Sequence, residues 1–179
     1  GKAVKGVDIK ISKYGEILVK GENIMIGYWN NAELTKETLK DGWLYTGDLG
    51  LFDSKNRLII NGRKKDLIVT SGGENISPQK IESLLIAQEE ITQSVVFGDS
   101  KPYIIAILVV KKDYQKEKIK KSINEINKKL NLPEKVRKYI IVSDEFTYEK
   151  GFLTQTLKVK RNSVFKSFKE RIEKLYSTL

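Results

Sequence analysis

The sequence predicts an α+β fold, in which a β-rich first part precedes a small α+β domain with a short mixed sheet and packed helices. Short runs of alternating apolar residues, typical of strands, dominate the chain up to residue 62. Beyond that point apolar residues also recur at helical spacing over longer segments. The charge changes at the same place, because residues 1–62 carry 9 Lys and Arg against 8 Asp and Glu, whereas residues 63–179 carry 24 against 15. We therefore expect a domain boundary between residues 62 and 63.

The first part predicts two hairpins on either side of a short helix. Alternating apolar residues around a glycine indicate the first hairpin, and two apolar runs around the turn DSKN indicate the second. The helix candidate ends before an Asp-Gly pair, which is typical of a turn. The predicted elements are a hairpin of residues 7–11 and 17–19 around Gly15, a helix over residues 32–39, and a hairpin of residues 49–52 and 58–60.

The second part predicts strands that alternate with helices. Ser77 is a suitable N-cap and Pro78 suits the first helical position, so a helix begins there, with an apolar face formed by Ile81, Leu84 and Leu85. The other predicted strands cover residues 66–70, 94–97, 103–110 and 139–142, and a turn is predicted at Gly72 and Gly73. A second helix ends before Pro133 and has an apolar face of Ile119, Ile123, Ile126 and Leu130. A last helix runs from about Asn162 to Tyr176, with an apolar face of Val164, Phe168, Ile172 and Leu175.

The composition excludes several classes of function. The chain has no Cys and no His, which excludes a Ser-His-Asp hydrolase, thiolate catalysis and cysteine metal sites. No apolar run approaches the roughly 18 residues that a membrane-spanning helix needs, and no Gly-Lys-Ser/Thr loop is present. Lys outnumbers Arg by 28 to 5. The excess of positive charge therefore fits either a solvated Lys-rich face or a surface that binds anions, and the composition leaves both open.

Three motifs occur in order along the chain: GWLYTGDLG at residues 42–50, NGRKKDLIVTSGGENISPQKIE at 61–82, and LTQTLKVKR at 153–161. Each is weak evidence alone, but together they resemble the C-terminal portion of an AMP-forming acyl-CoA synthetase of the adenylate-forming superfamily. The LTQTLK form and the closing KSFKERIEKLY look most like the long-chain fatty acid branch. The resemblance covers nearly the whole chain. It implies that residues 1–62 are the β-rich end of the large N-terminal domain and residues 63–179 a mobile C-terminal lid domain.

The resemblance implies roles for three residues near the expected boundary. Asp48 would accept hydrogen bonds from both ribose hydroxyls of the AMP moiety, and Arg63 would contact the nucleotide at the domain junction. Lys65 matches the position of the family's hinge, where a solvent-tolerant residue is suitable. The residues alone also fit plainer interpretations: a turn residue for Asp48, a surface pair with Asp66 for Arg63, and a solvated lysine for Lys65.

The resemblance also assigns the Gly-Gly turn and one lysine to the chemistry. Gly72 and Gly73 permit a tight turn, and in the family this loop lines the tunnel through which the thiol enters, with Gly72 the better match. Lys158 matches the catalytic lysine, which would offset negative charge between the carboxylate and the α-phosphate. Lys160 and Arg161 are nearby alternatives, and an ordinary loop lysine is the plainer interpretation of Lys158.

The implied reaction uses ATP, a fatty acid and CoA, with Mg²⁺ held by ligands upstream of this chain. We expect a fragment of a longer enzyme that is inactive alone, since the family's phosphate loop and acyl pocket do not occur here. The basic second part would help to hold the phosphates of CoA.

A cytoplasmic location is expected, with peripheral membrane contact left open and no nucleic acid as partner. Two alternatives remain: a fatty acyl-AMP ligase or carrier-protein adenylation domain, and a non-catalytic basic binding module.

Overall fold

The computed structural model describes residues 1–177, and it confirms the predicted α+β class. The chain forms two compact units, Gly1–Leu67 and Ile68–Leu179, called here the first and second units. They divide a few residues beyond the expected boundary at 62 and 63, because Gly62 and Arg63 belong to a strand of the first unit. That the division acts as a hinge stays a prediction.

The first unit is an antiparallel sheet with one short helix. Its strands lie in the order β1-β2-β4-β3, and β5 pairs with β4. Ile17 and Leu18 are buried in this sheet. The elements are β1 (Val7–Ile11), β2 (Glu16–Gly21), α1 (Ala32–Thr38), β3 (Leu39–Lys40), β4 (Trp43–Phe52), β5 (Leu58–Arg63) and a 3-10 turn (Lys64–Asp66).

The second unit places helices on both faces of a mixed three-stranded sheet. The central strand β9 pairs parallel with β10 and antiparallel with β8. A small hairpin of β6 and β7 precedes them. The elements are β6 (Ile68–Val69), β7 (Asn75–Ile76), α2 (Pro78–Ile86), β8 (Ile91–Phe97), β9 (Ile104–Val110), α3 (Lys116–Lys129), a 3-10 turn (Leu132–Glu134), β10 (Val136–Val142) and α4 (Arg161–Ser177).

Every residue of β9 is buried, because its alternate side chains enter two separate cores. On one face Ile104, Ala106 and Leu108 pack in a cluster with residues of α2 and α3, including Ile81 and Ile119. The odd-numbered residues of β9 pack on the other face with α4 and the segment that leads to it. The second unit is therefore a three-layer structure in which loops carry the candidate site residues.

Some predicted elements differ from those observed. The predicted strand over residues 66–70 is wrong at its start, because residues 64–66 form a 3-10 turn and only Ile68–Val69 pairs with another strand. Ser77 occupies the predicted N-cap position, but its hydroxyl bonds Gln79 Oε1 at 3.4 Å instead of a backbone N–H of the helix. Across residues 1–177, no helix is both long enough and apolar enough to cross a membrane.

Candidate functional site

Asp48 and Arg63 face each other across strands β4 and β5. The Arg63 Nε atom donates a hydrogen bond to Asp48 Oδ1 at 2.8 Å, and the Arg63 side chain is 67% exposed against 28% for that of Asp48. Asp48 Oδ2 has no hydrogen bond to any residue that the structure describes. The pair thus offers a carboxylate oxygen and an exposed guanidinium to a ligand with hydroxyl or phosphate groups. Asp48 lies within a ten-residue strand, so its interpretation as a turn residue is wrong.

The residues before Asp48 explain the rest of the TGD motif. Thr46 Oγ1 donates to the carbonyl of Ile17 at 2.8 Å and accepts from the Asp48 N–H at 3.1 Å. Gly47 has a φ of +73°, in the left-handed region that favours glycine, and its N–H donates to Glu16 Oε1 at 3.0 Å. A threonine, a glycine and the carboxylate of Glu16 therefore fix the backbone that carries Asp48.

Sequence reasoning did not identify Glu16. Its side chain is 8% exposed, and its second oxygen accepts a hydrogen bond from Lys64 Nζ at 3.2 Å. A single Glu at the start of a short strand has no distinguishing pattern, so the residue could have been identified only through its partners. Lys65, the next residue after Lys64, is exposed in the 3-10 turn and makes no ion pair within residues 1–177.

Gly72 and Gly73 lie at the exposed tip of the β6–β7 hairpin. Thr70 holds this tip, because its carbonyl accepts from the Gly73 N–H at 2.9 Å and its hydroxyl accepts from the Glu74 N–H at 3.2 Å. Gly73 has a φ of +78°. Gly72 has no positive φ, and a Cβ added there would meet only Thr70 Oγ1, at 3.8 Å. The turn thus requires glycine at 73 and leaves room for a side chain at 72.

Lys158 lies in a short loop between β10 and α4 that is closed by a bridge between Leu153 and Val159. Its N–H donates to Thr154 Oγ1 at 3.1 Å, and its carbonyl accepts from the Thr154 N–H at 2.8 Å. Leu157 has a φ of +58°, an uncommon conformation for a residue other than glycine. The loop backbone is fixed while the Lys158 side chain is exposed, which suits a cation that must reach a substrate.

Arg161, one of the alternatives to Lys158, has a structural role. Its guanidinium donates to both carboxylate oxygens of Glu82, at 2.7 and 3.1 Å, and to the carbonyl of Val96 at 2.6 Å. Glu82 also accepts from the Val96 N–H at 2.8 Å. These contacts join the start of α4 to α2 and β8. Lys160 is exposed and stays an alternative.

Asp48, Arg63 and Lys65 belong to the first unit, and Gly72, Gly73 and Lys158 belong to the second. The structure brings Asp48 and Arg63 together. Within residues 1–177, no group of three or more Asp and Glu side chains is placed to hold a metal ion.

Residues 65–179 match the family model of the AMP-binding enzyme C-terminal domain. The chain is 37% identical, over 99% of its length, to the long-chain-fatty-acid–CoA ligase FadD15 of Mycobacterium tuberculosis, of which it covers 34%. It is 35% identical, over 91% of its length, to the chloroplastic long-chain-fatty-acid–[acyl-carrier-protein] ligase AEE15 of Arabidopsis thaliana, of which it covers 25%. The structure of the A-PCP didomain of carboxylic acid reductase from Segniliparus rugosus, in complex with AMP, is similar with a TM-score of 0.79 and 25% identity, over 98% of this chain and 29% of that one. The chain thus spans between a quarter and about a third of the length of these curated relatives.

Proposed function

Because the chain belongs to the family of AMP-binding enzyme C-terminal domains, we propose that it is the C-terminal region of an ATP-dependent acyl-CoA synthetase. This enzyme activates a fatty acid as acyl-AMP and transfers the acyl group to CoA. The observation that carries the proposal is the Asp48–Arg63 pair, which keeps one carboxylate oxygen and an exposed guanidinium available. The 37% identity to a long-chain-fatty-acid–CoA ligase, over nearly the whole chain, supports the same reaction.

In the first half-reaction, a carboxylate oxygen of the fatty acid attacks the α-phosphorus of ATP. The bond to the bridging β-phosphate oxygen breaks, and pyrophosphate leaves with its electron pair. Asp48 and Arg63 bind the ribose and orient the nucleotide. The exposed ammonium of Lys158 stabilises the negative charge that accumulates between the carboxylate and the α-phosphate.

In the second half-reaction, the thiol sulfur of CoA attacks the acyl carbon. The bond from that carbon to the AMP oxygen breaks, AMP leaves, and the thiol proton passes to water. Gly72 and Gly73 line the path of the thiol. Gly72 supports this role, because the turn does not require glycine at this position. The missing side chain leaves space for a narrow substrate. Rotation at Lys65 exchanges the Lys158 loop for the glycine hairpin between the half-reactions.

A carrier protein is the second candidate acceptor, because a relative 35% identical to the chain is a ligase for acyl-carrier protein. The chemistry at the acyl carbon is the same, since the carrier presents a thiol on phosphopantetheine. We favour CoA, because the Lys-rich second unit suits the phosphates of free CoA. We place the reaction in the cytoplasm. Peripheral contact with an anionic membrane is a separate question that vesicle co-sedimentation answers.

The test is a chimera in which this chain replaces the matching third of the M. tuberculosis ligase FadD15. We expect the truncated parent to be inactive and the chimera to form acyl-CoA from palmitate, ATP and CoA. Asp48→Asn in the chimera should weaken nucleotide binding, because an amide replaces one of the two acceptor oxygens by a donor. A chimera that charges only a carrier protein would support the second acceptor, and a folded chimera without adenylation would contradict the proposal.

A further inference from the structure

The segment that joins the two units, residues 64–67, is called here the link. It contains two adjacent lysines with different contacts. Both side chains are exposed, but Lys64 Nζ makes an ion pair with Glu16 Oε2 at 3.2 Å, whereas Lys65 makes no ion pair within the described residues. The sequence shows only consecutive cations at these positions. Their contacts indicate where the rigid part of the first unit ends.

The backbone before Lys64 is held by the sheet. Strand β5 pairs with β4 up to Arg63, which lies opposite Asp48. Rotation before Arg63 would break ladder hydrogen bonds and the ion pair of Arg63 with Asp48. The sheet therefore holds the chain only as far as Arg63, and Lys64 is the first residue beyond it.

Glu16 extends this support by one residue. Its carboxylate is buried, with one oxygen bonded to the Gly47 N–H and the other to Lys64. A buried carboxylate that loses its cation is left with an uncompensated charge, so the ion pair resists opening more than an exposed pair would. The same carboxylate thus fixes the backbone before Asp48 and the side chain after Arg63.

We propose that Glu16 is a positioning residue that holds Lys64 on the first unit and confines rotation of the link to Lys65 and the residues after it. The inference rests on the proposed function only in one respect, which is that the rotation serves to move the second unit between the two half-reactions. Without the Glu16–Lys64 ion pair, the flexible part of the link would begin one residue earlier. The second unit would then sample a wider range of orientations, and a smaller fraction of them would suit either half-reaction.

The test measures the distance between two spin labels, one on each unit. The chain has no cysteine, so Lys36→Cys on α1 and Asn124→Cys on α3, both exposed helical positions, can be labelled selectively. We expect Glu16→Gln to broaden the distribution of distances between the two labels, measured by pulsed electron paramagnetic resonance spectroscopy. The amide oxygen of this variant can still accept a hydrogen bond from the Gly47 N–H. The rate of hydrogen–deuterium exchange at Gly47 should therefore change little.

Lys64→Gln should broaden the distribution to the same extent, and the double variant should add nothing, since both changes remove one interaction. Lys64→Arg keeps the cation and should restore the narrow distribution. The matched control is Asp53→Asn, which removes the ion pair with Arg57 elsewhere in the first unit and should leave the distribution unchanged.

A distribution that stays unchanged in Glu16→Gln, or that broadens equally in Asp53→Asn, would overturn the proposal. No nucleotide is present in this measurement. Its outcome is therefore independent of whether Asp48→Asn weakens nucleotide binding in the chimera, which tests the proposed function.

Discussion

Gly72 and Gly73 are adjacent, but the backbone places different demands on them. Gly73 has a φ of +78°, where an L-residue is disfavoured by about 1–2 kcal/mol. We therefore expect Gly73→Ala to lower the free energy of unfolding of the second unit. Gly72→Ala should leave it unchanged or raise it slightly, because the site has room and alanine reduces the entropy of the unfolded chain. Urea unfolding followed by circular dichroism compares the two variants, and equal losses would show that the turn requires glycine at both positions.

At the same scale, the sequence motifs pointed to some candidate residues and not to others. Asp48 and Arg63 were predicted from their motifs and their roles stay predictions, whereas their direct ion pair depends on the register of β4 and β5. Glu16 was missed because its two partners lie 31 and 48 residues away along the chain. Arg161 stayed an alternative to Lys158 until its contact with Glu82 was known. Long-range contacts, rather than residue types, distinguish these roles.

At the scale of elements, the predicted strand over residues 103–110 began only one residue before β9 (Ile104–Val110), since an unbroken apolar run indicates a strand buried on both faces. Strand β4 was recognised only in its last four residues. Its glycines at 47 and 50 are unfavourable in strands, and pairing with β2, β3 and β5 outweighs that preference. Local propensity predicted elements best where it agreed with packing.

The start of α4 depends on the contact between Arg161 and Glu82. Arg161→Ala should lower the free energy of unfolding of the second unit by about 2–3 kcal/mol, because it removes charged hydrogen bonds and leaves a largely buried carboxylate with fewer partners. The matched control is Lys128→Ala, because its ion pair with Glu125 is exposed to solvent and should contribute little to the free energy of unfolding. Urea unfolding measures both, and similar losses in the two variants would contradict a structural role for Arg161.

At the scale of the whole molecule, the link between the units should be the first place to be cut. Lys65 is exposed and lies in a short 3-10 turn, where few backbone bonds oppose local opening. We expect limited digestion with trypsin to release a fragment that begins at Asp66, identified by mass spectrometry. First cuts mainly within residues 94–142 would count against a hinge at this position.

The two half-reactions should depend on different loops of the second unit. If the second unit rotates about Lys65, Lys158 serves adenylation and Gly72 serves thioester formation, because each loop meets the substrate in only one orientation. In the chimera with the FadD15 ligase, Lys158→Ala should slow acyl-AMP formation by about 100-fold or more, comparable to the loss of one oxyanion donor. It should leave thioester formation from supplied acyl-AMP within a few-fold of the parent chimera.

Gly72→Leu should have the opposite effect, since a side chain at the open position 72 would fill the path of the thiol and leave the adenylation orientation intact. Pyrophosphate exchange measures the first half-reaction, and CoA consumption from synthetic acyl-adenylate measures the second. Gly72→Ala is the matched control, because a methyl group fits beside Thr70 without strain. Equal loss of both half-reactions in Lys158→Ala and in Gly72→Leu would mean that one fixed arrangement serves both steps. Opposite losses are the result expected if each loop meets the substrate in a different orientation of the second unit.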